Sequence, residues 1–182
     1  MEVCHFSKID QQNIKVKFSD DRKHRFYLEL PFANKIEGNA LCIIGQNPSS
    51  ANARIADKTI NYIERYVYEK LPQYSKIIIL NLYSRVDTKK TETSDLIREE
   101  SYLHLNEIIS NNTDFLIIYG KLDDKGEYKF AERAKELKSK LIDKSVFKFD
   151  IGCNFAPHPG NNNIYYGNYC YGITEYNFED VL

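Results

Sequence analysis

A chain of 182 residues, 42% hydrophobic and 28% charged, has the make-up of one ordinary folded domain, which excludes general disorder and leaves no room for two full domains. Its 25 Lys and Arg against 26 Asp and Glu give a formal charge of −1, which excludes an overall basic coat for nucleic acid but leaves a local basic groove open. No apolar run approaches the roughly 20 residues that cross a bilayer, and the opening MEVCHFSKID is too polar for a signal peptide, so the expectation is a cytoplasmic protein without membrane contact.

No repeat, low-complexity tract or linker divides the chain, which reads as one domain over 1–182 with residues 1–10 as a loose lead-in. In FSDDRKHRFYLEL a polar turn at Ser19-Asp20-Asp21 precedes alternating Phe26, Leu28 and Leu30, the period of a half-buried strand, expected at a sheet edge. ALCIIG (40–45), KIIILNLY (76–83) and DFLIIYG (114–120) are continuous apolar runs, which suit parallel strands buried on both faces. Between them Asp57 is an N-cap candidate for a helix carrying Ile60, Ile63, Val67 and Leu71, and Leu96, Leu103, Ile108 and Ile109 mark a second helix. A third helix over about 127–143 carries Phe130, Ala134, Leu137 and Leu141 and leads into the strand VFKFDI. The order βαβαβαβ predicts an α/β fold, a three-layer α/β/α sandwich with a central, mainly parallel sheet. Cys4, Cys42, Cys153 and Cys170 are widely spaced with no CxxC, so they read as free, mostly buried thiols, and no metal site is expected.

Ligands of such sheets bind at the carboxyl ends of the parallel strands. Those ends carry Gly45-Gln46-Asn47-Pro48-Ser49-Ser50, then Asn81, then Gly120-Lys121, then Pro157-His158-Pro159-Gly160. Gly45 lets a ligand approach the backbone, and the Ser49 and Ser50 hydroxyls can bind a phosphate or a water; a plain strand-to-helix turn is the competing account. Asn81 interrupts an apolar run, where an unpartnered carboxamide costs about 1–3 kcal/mol; it either reads a ligand or ties two loops together. His158 is held between two prolines at the strand edge, which a ligand explains better than packing does. Asp57 and Thr59 suit a helix cap better than a site. Arg22, Lys23, Arg25, Arg85, Lys89, Lys90 and Lys121 can contact phosphates or simply face water, with Arg85 the best placed. The Tyr-rich tail YYGNYCYGITEYNF can stack on bases or pack on the sheet.

GQNPSS, LN, YGK and PHPG, in this order at successive strand ends, together resemble the uracil-DNA glycosylase superfamily over roughly residues 18–165. The closest likeness is to an uncharacterised bacterial branch, domain of unknown function 1643, with an Arg-rich first strand like RKHRFYLEL, NPS, a pair like Asp57 and Thr59, and the Asn-Leu strand end. The resemblance implies a uracil-DNA glycosylase-like fold and assigns roles. Asn47 stands where a water is activated or merely oriented, and an Asn there implies orientation. Asn81 would read the Watson–Crick edge of a flipped pyrimidine, and His158 would donate to the carbon-2 oxygen of the departing base. Ser49 replaces a Tyr that closes the pocket against carbon-5 substituents, so a bulky carbon-5 group is admitted. Gly160 stands in place of the usual Ser, and Asn161-Asn162-Asn163 is not the usual duplex wedge.

The implied function is a DNA glycosylase acting on a 5-substituted cytosine, such as hydroxymethyl or glucosylated hydroxymethylcytosine of phage DNA, in anti-phage defence. Asn47 and His158 are then catalytic, and Gly45, Gln46, Ser49 and Asn81 shape the base pocket. Ser50, Asp57, Arg85, Lys121, Gly160 and Asn161 are candidate phosphate or substrate contacts. DNA is the expected partner; no metal or organic cofactor is required, and no protein partner is evident from the sequence. Two alternatives stand beside this: a non-catalytic nucleotide binder, such as a sponge for a nucleotide immune signal, and a hydrolase of free nucleosides or nucleotides.

Overall fold

The computed structural model describes residues 2–35 and 37–178; Met1, Ile36 and residues 179–182, part of the single-domain reading, lie outside them. In chain order the elements are β1 (Glu2–Val3), β2 (Lys15–Phe18), β3 (Arg25–Pro31), β4 (Asn39–Gly45), β5 (Ala56–Asp57) and α1 (Lys58–Lys70). Then come β6 (Tyr74–Asn81), α2 (Glu99–Asn111), β7 (Asp114–Ile117), α3 (Phe130–Lys140), β8 (Ser145–Phe149), α4 (Asn162–Tyr165) and β9 (Ile173–Glu175). Seven strands form one sheet in the order β2-β3-β6-β4-β7-β8-β9, and β1 pairs with β5 apart from it.

The four central strands β6, β4, β7 and β8 are parallel, while β2, β3 and β9 pair antiparallel at the two margins. β4, β6 and β7 are buried on both faces, as their apolar runs require, while β8 carries Lys148 and is less fully covered. Leu41 and Ile43 of β4 join Ile77 and Ile79 of β6 beneath α1, which contributes Ile60, Ile63, Tyr66 and Val67. Cys42 and Ile44 point the other way, with Ile78 and Leu80, toward α3 residues Phe130, Ala134 and Leu137 and toward Ile109 of α2. The helices therefore lie on both faces of the sheet, in three layers. Each fully buried Ile or Leu in these clusters contributes about 1.5–3 kcal/mol. The start of α1 is fixed by Asp57, whose Oδ1 accepts the Ile60 N–H at 2.8 Å, satisfying one of the orphan donors of the first turn.

Several expectations are corrected. β3 is not an edge strand, because β2 pairs outside it. The lead-in is not loose: Ile9 is buried, and His5 Nδ1 lies 2.5 Å from Glu64 Oε1 on α1 while the Phe6 N–H donates to Glu64 Oε2 at 2.7 Å. Leu96 precedes α2, and Leu103 is 67% exposed. The inward face of α2 is built by the expected Ile108 and Ile109 together with Leu105, one helical turn away, with Leu103 on the far side. Of the four thiols only Cys42 is buried; Cys4 and Cys170 are exposed. No helix among the described residues is long and apolar enough to cross a membrane.

Candidate functional site

At the carboxyl ends of the central strands, β4 sends its connection to α1 on one face, whereas its neighbours β6 and β7 send theirs to α2 and α3 on the other. Such divergence opens a crevice at the strand tips. A cavity of about 430 Å³ occupies it, a volume suited to a small ligand. Its buried end is walled by Arg25, Ile60, Ile63, Ile79, Ile118 and Tyr119, and its mouth by Thr88, Lys121 and His158, which are exposed.

The loops forming the cavity are cross-braced. The Leu82 and Tyr83 N–H groups donate to Gly45 and Gln46 carbonyls at 2.9 and 3.0 Å, Ile118 donates to Ile44 at 2.9 Å, and Gly120 donates to Ala156 at 2.8 Å. Gln46 Nε2 adds a bond to the Lys121 carbonyl at 3.0 Å. These bonds bring Gly45, Gln46, Asn47, Ser49, Asp57, Asn81, Lys121 and His158 around one space.

Each side chain there has a distinct state. Asn81 faces Gly45 across the parallel pair β4 and β6, and a Cβ at Gly45 would stand 2.9 Å from Asn81 Nδ2; only glycine gives the carboxamide this room. Asn47 donates through Nδ2 to the Arg85 carbonyl at 3.4 Å, while its buried Oδ1 has no partner. A buried unpaired acceptor beside a cavity calls for a donor from whatever fills it. The Gly160 N–H donates to His158 Nδ1 at 2.9 Å, so the neutral ring carries its proton on Nε2, free to donate. The crowding of the imidazole by the cavity walls pushes its pKa below the ordinary value, with Asp57 opposing and Lys90 assisting, and the neutral form is favoured. Although His158 as a residue is exposed, its ring forms part of the cavity wall.

Arg25, one of the seven basic residues named as phosphate contacts or solvated surface, lines the cavity in place of the favoured Arg85. Alternation of Phe26, Leu28 and Leu30 places it on the opposite face, but the β2–β3 register slips between Lys17 and Phe18, pairing Lys17 with Tyr27 and Phe18 with Arg25. Phe26 is the extra residue of a bulge. It turns to α2, stacking on His104 at 5.4 Å, and Arg25 turns into the cavity at 2% exposure. There Nη1 donates to the Ala51 carbonyl at 3.1 Å and Nη2 to Asn81 Oδ1 at 3.4 Å. Lys90, another of those seven, is held at the cavity with φ 58°. Asp87 locks that turn by accepting from the Lys89, Lys90 and Glu92 N–H groups at 3.1, 2.7 and 3.0 Å and from the Tyr128 hydroxyl at 2.9 Å. Burial lowers the Lys90 pKa, with Lys125 nearby.

Residues 25–159 match the family model described as protein of unknown function (DUF1643). The chain belongs to the DUF1643 family. The matched span contains every residue lining the cavity, so in this DUF1643 chain the site and the family region coincide. No curated protein and no solved structure matches the chain.

Four candidates stand outside the cavity lining of this DUF1643 protein. Arg85, the favoured phosphate contact, is engaged by Glu92 at 2.7 Å and Asp95 at 3.5 Å. Ser50 is exposed and accepts from Asn52 through its carbonyl. Gly160 serves His158 by its N–H, and Asn161 caps α4 by accepting from Asn163 at 2.9 Å. In the tyrosine tail packing prevails: Tyr171 stacks on Tyr66 at 5.4 Å, and Tyr176 is buried against Tyr119. Tyr165 and Tyr166 remain exposed.

Proposed function

We propose that this DUF1643 protein is a DNA glycosylase of the uracil-DNA glycosylase superfamily, which takes a flipped 5-substituted pyrimidine into the cavity and hydrolyses its glycosidic bond, leaving an abasic site. A 5-substituted cytosine of phage DNA is the substrate proposed, and defence against such phages is the setting. The observation that carries this reading is the convergence on one cavity of Asn47, Asn81 and His158, whose Nδ1 accepts from the Gly160 N–H and so leaves Nε2 to donate. Breaking the N1–C1′ bond puts negative charge on the base and an oxocarbenium-like charge on the sugar. His158 would donate to the carbon-2 oxygen as that charge grows; Asn47 Oδ1 would orient the attacking water; Asn81, given its room by Gly45, would read the base edge. Ser49 on the cavity wall leaves space beside carbon 5. None of these steps uses a metal, and the described residues hold no cluster of three or more His, Cys, Asp or Glu suited to one.

The reading is tested by incubating the protein with phage DNA containing hydroxymethylated or glucosylated cytosine and with unmodified DNA. Alkali-labile sites in the modified DNA alone support it, and absence of base release from every modified DNA tried overturns it. A second reading, a binder that sequesters a nucleotide without hydrolysing it, is favoured by the charge of the lining: Arg25, Lys90 and Lys121 against Asp57 alone. Stoichiometric recovery of an unaltered nucleotide from the purified protein would select it.

A further inference from the structure

Arg25 is the most deeply buried charged residue on the cavity wall, and the proposed chemistry leaves it without a role. The residue is 2% exposed, forms no contact ion pair among the described residues, and leaves Nε buried with no hydrogen-bond partner while the side chain lines the cavity. Asp57 on the cavity wall acts on this cation only at a distance, without a contact ion pair; a buried cation with no contact ion pair is costly, and so is a buried donor without an acceptor. The bulge in β3 directs it there rather than to solvent. An occupant that brings negative charge to the buried end of the cavity would relieve both costs at once.

We propose that Arg25 is a further catalytic residue, one that takes up the negative charge of the pyrimidine as it leaves; the inference rests on the glycosidic reading of the cavity. In the step, the N1–C1′ bond breaks with its electron pair on N1. A water oxygen bonds to C1′ and releases a proton to solvent, and the base anion takes a proton from solvent on departure. Arg25 acts from the buried end and His158 from the mouth, so the developing charge is met from two sides. A guanidinium suits this task because it remains a cation: burial lowers its pKa only to about 10, with Asp57 opposing. Its bond to Asn81 Oδ1 also fixes the carboxamide, since a donor-only group cannot face Nδ2.

The test uses Arg25→Gln, which keeps hydrogen bonding to Ala51 and Asn81 without the charge, and Arg25→Lys, which keeps the charge. Two measurements are made on each variant and on the wild type. The first is binding of the free base 5-nitrouracil as its anion, compared with neutral thymine, which reads charge and needs no turnover. The Gln variant is expected to lose at least tenfold in affinity for the anion relative to thymine, and the Lys variant to retain most of that preference. The second is base release from DNAs carrying pyrimidines of graded leaving-group acidity. The Gln variant is expected to be roughly 10²–10³-fold slower, with the loss largest for the poorest leaving group. An unchanged anion-to-neutral ratio, or an equal loss for all leaving groups, would overturn the proposal and make Arg25 a brace for Asn81 and the Ala51 loop. If the Gln variant does not fold, wild-type discrimination decides: absence of preference for the anion overturns the proposal. An Arg25-dependent anion preference with no base release by wild type refutes the glycosidic reading and the catalytic role with it, leaving an anion-binding pocket.

Discussion

Replacing Gly45 by Ala perturbs the site through a single atom. The added Cβ meets only Asn81 Nδ2 within 4 Å, at 2.9 Å, so the carboxamide has to retreat by about half an ångström to reach ordinary contact. Gly45 does not adopt the left-handed backbone, and the atom displaced ends a side chain rather than belonging to the backbone, so the fold should survive at a cost of about 1 kcal/mol. That corresponds to a melting temperature about 2–4 °C lower for a chain of this size. The larger effect falls on recognition: a hydrogen bond displaced from its ligand loses roughly 0.5–1.5 kcal/mol, or about two- to tenfold in kcat/KM for base release. Steady-state assays on modified DNA, run beside thermal melts, separate the two effects. Wild-type kcat/KM in a correctly folded Gly45→Ala protein would refute the claim that the glycine sets the position of Asn81.

His158→Ala removes the proposed donor to the leaving base and should slow the chemical step about 10²–10³-fold with little change in melting temperature, as single-turnover kinetics would show. Ser49→Tyr should abolish release of glucosylated bases while sparing small ones, because a phenol ring and a sugar cannot share the space beside carbon 5; equal processing of both sizes would remove Ser49 from that position. His5 gives a pH-dependent contribution to stability. Although burial alone would lower its pKa, its bonds to Glu64 and the Asn52 carbonyl raise it. The stabilisation is therefore complete below the unfolded value of about 6.5 and is lost as pH rises through the folded value. Wild type should lose melting temperature relative to His5→Gln as pH rises above about 6.5, and parallel curves would refute this.

The central strands and their helices were legible because continuous apolar runs and 3.6-residue spacing are local signals, as in ALCIIG and in Ile60, Ile63 and Val67. The site was legible where chemistry sits at or shortly after a strand end, as Asn81 and Asn47 do, or in a proline-held loop, as His158 does. What stayed hidden depends on long-range pairing. Arg25 reads as a solvated cation until the β2–β3 slip reverses its face, and no spacing within RKHRFYLEL encodes that slip. Arg85 looked free because its partners Glu92 and Asp95 lie in a loop whose course is set by Asp87. Likewise the lead-in read as loose because Glu64, the partner of His5, lies 59 positions away.

The bonds that tie the Gly45, Leu82, Ile118 and Gly120 backbones together bear on which molecule must move when the two meet. A cleft whose strand-end loops are tied to one another has less to rearrange, so under the proposed reading the nucleic acid supplies the motion. Pulling a base out of a helix costs a few kcal/mol, least where pairing is already broken. The same modified base should then be released fastest from single strands, next from mismatches and slowest from a perfect duplex, so the encounter would be timed by how often the DNA breathes.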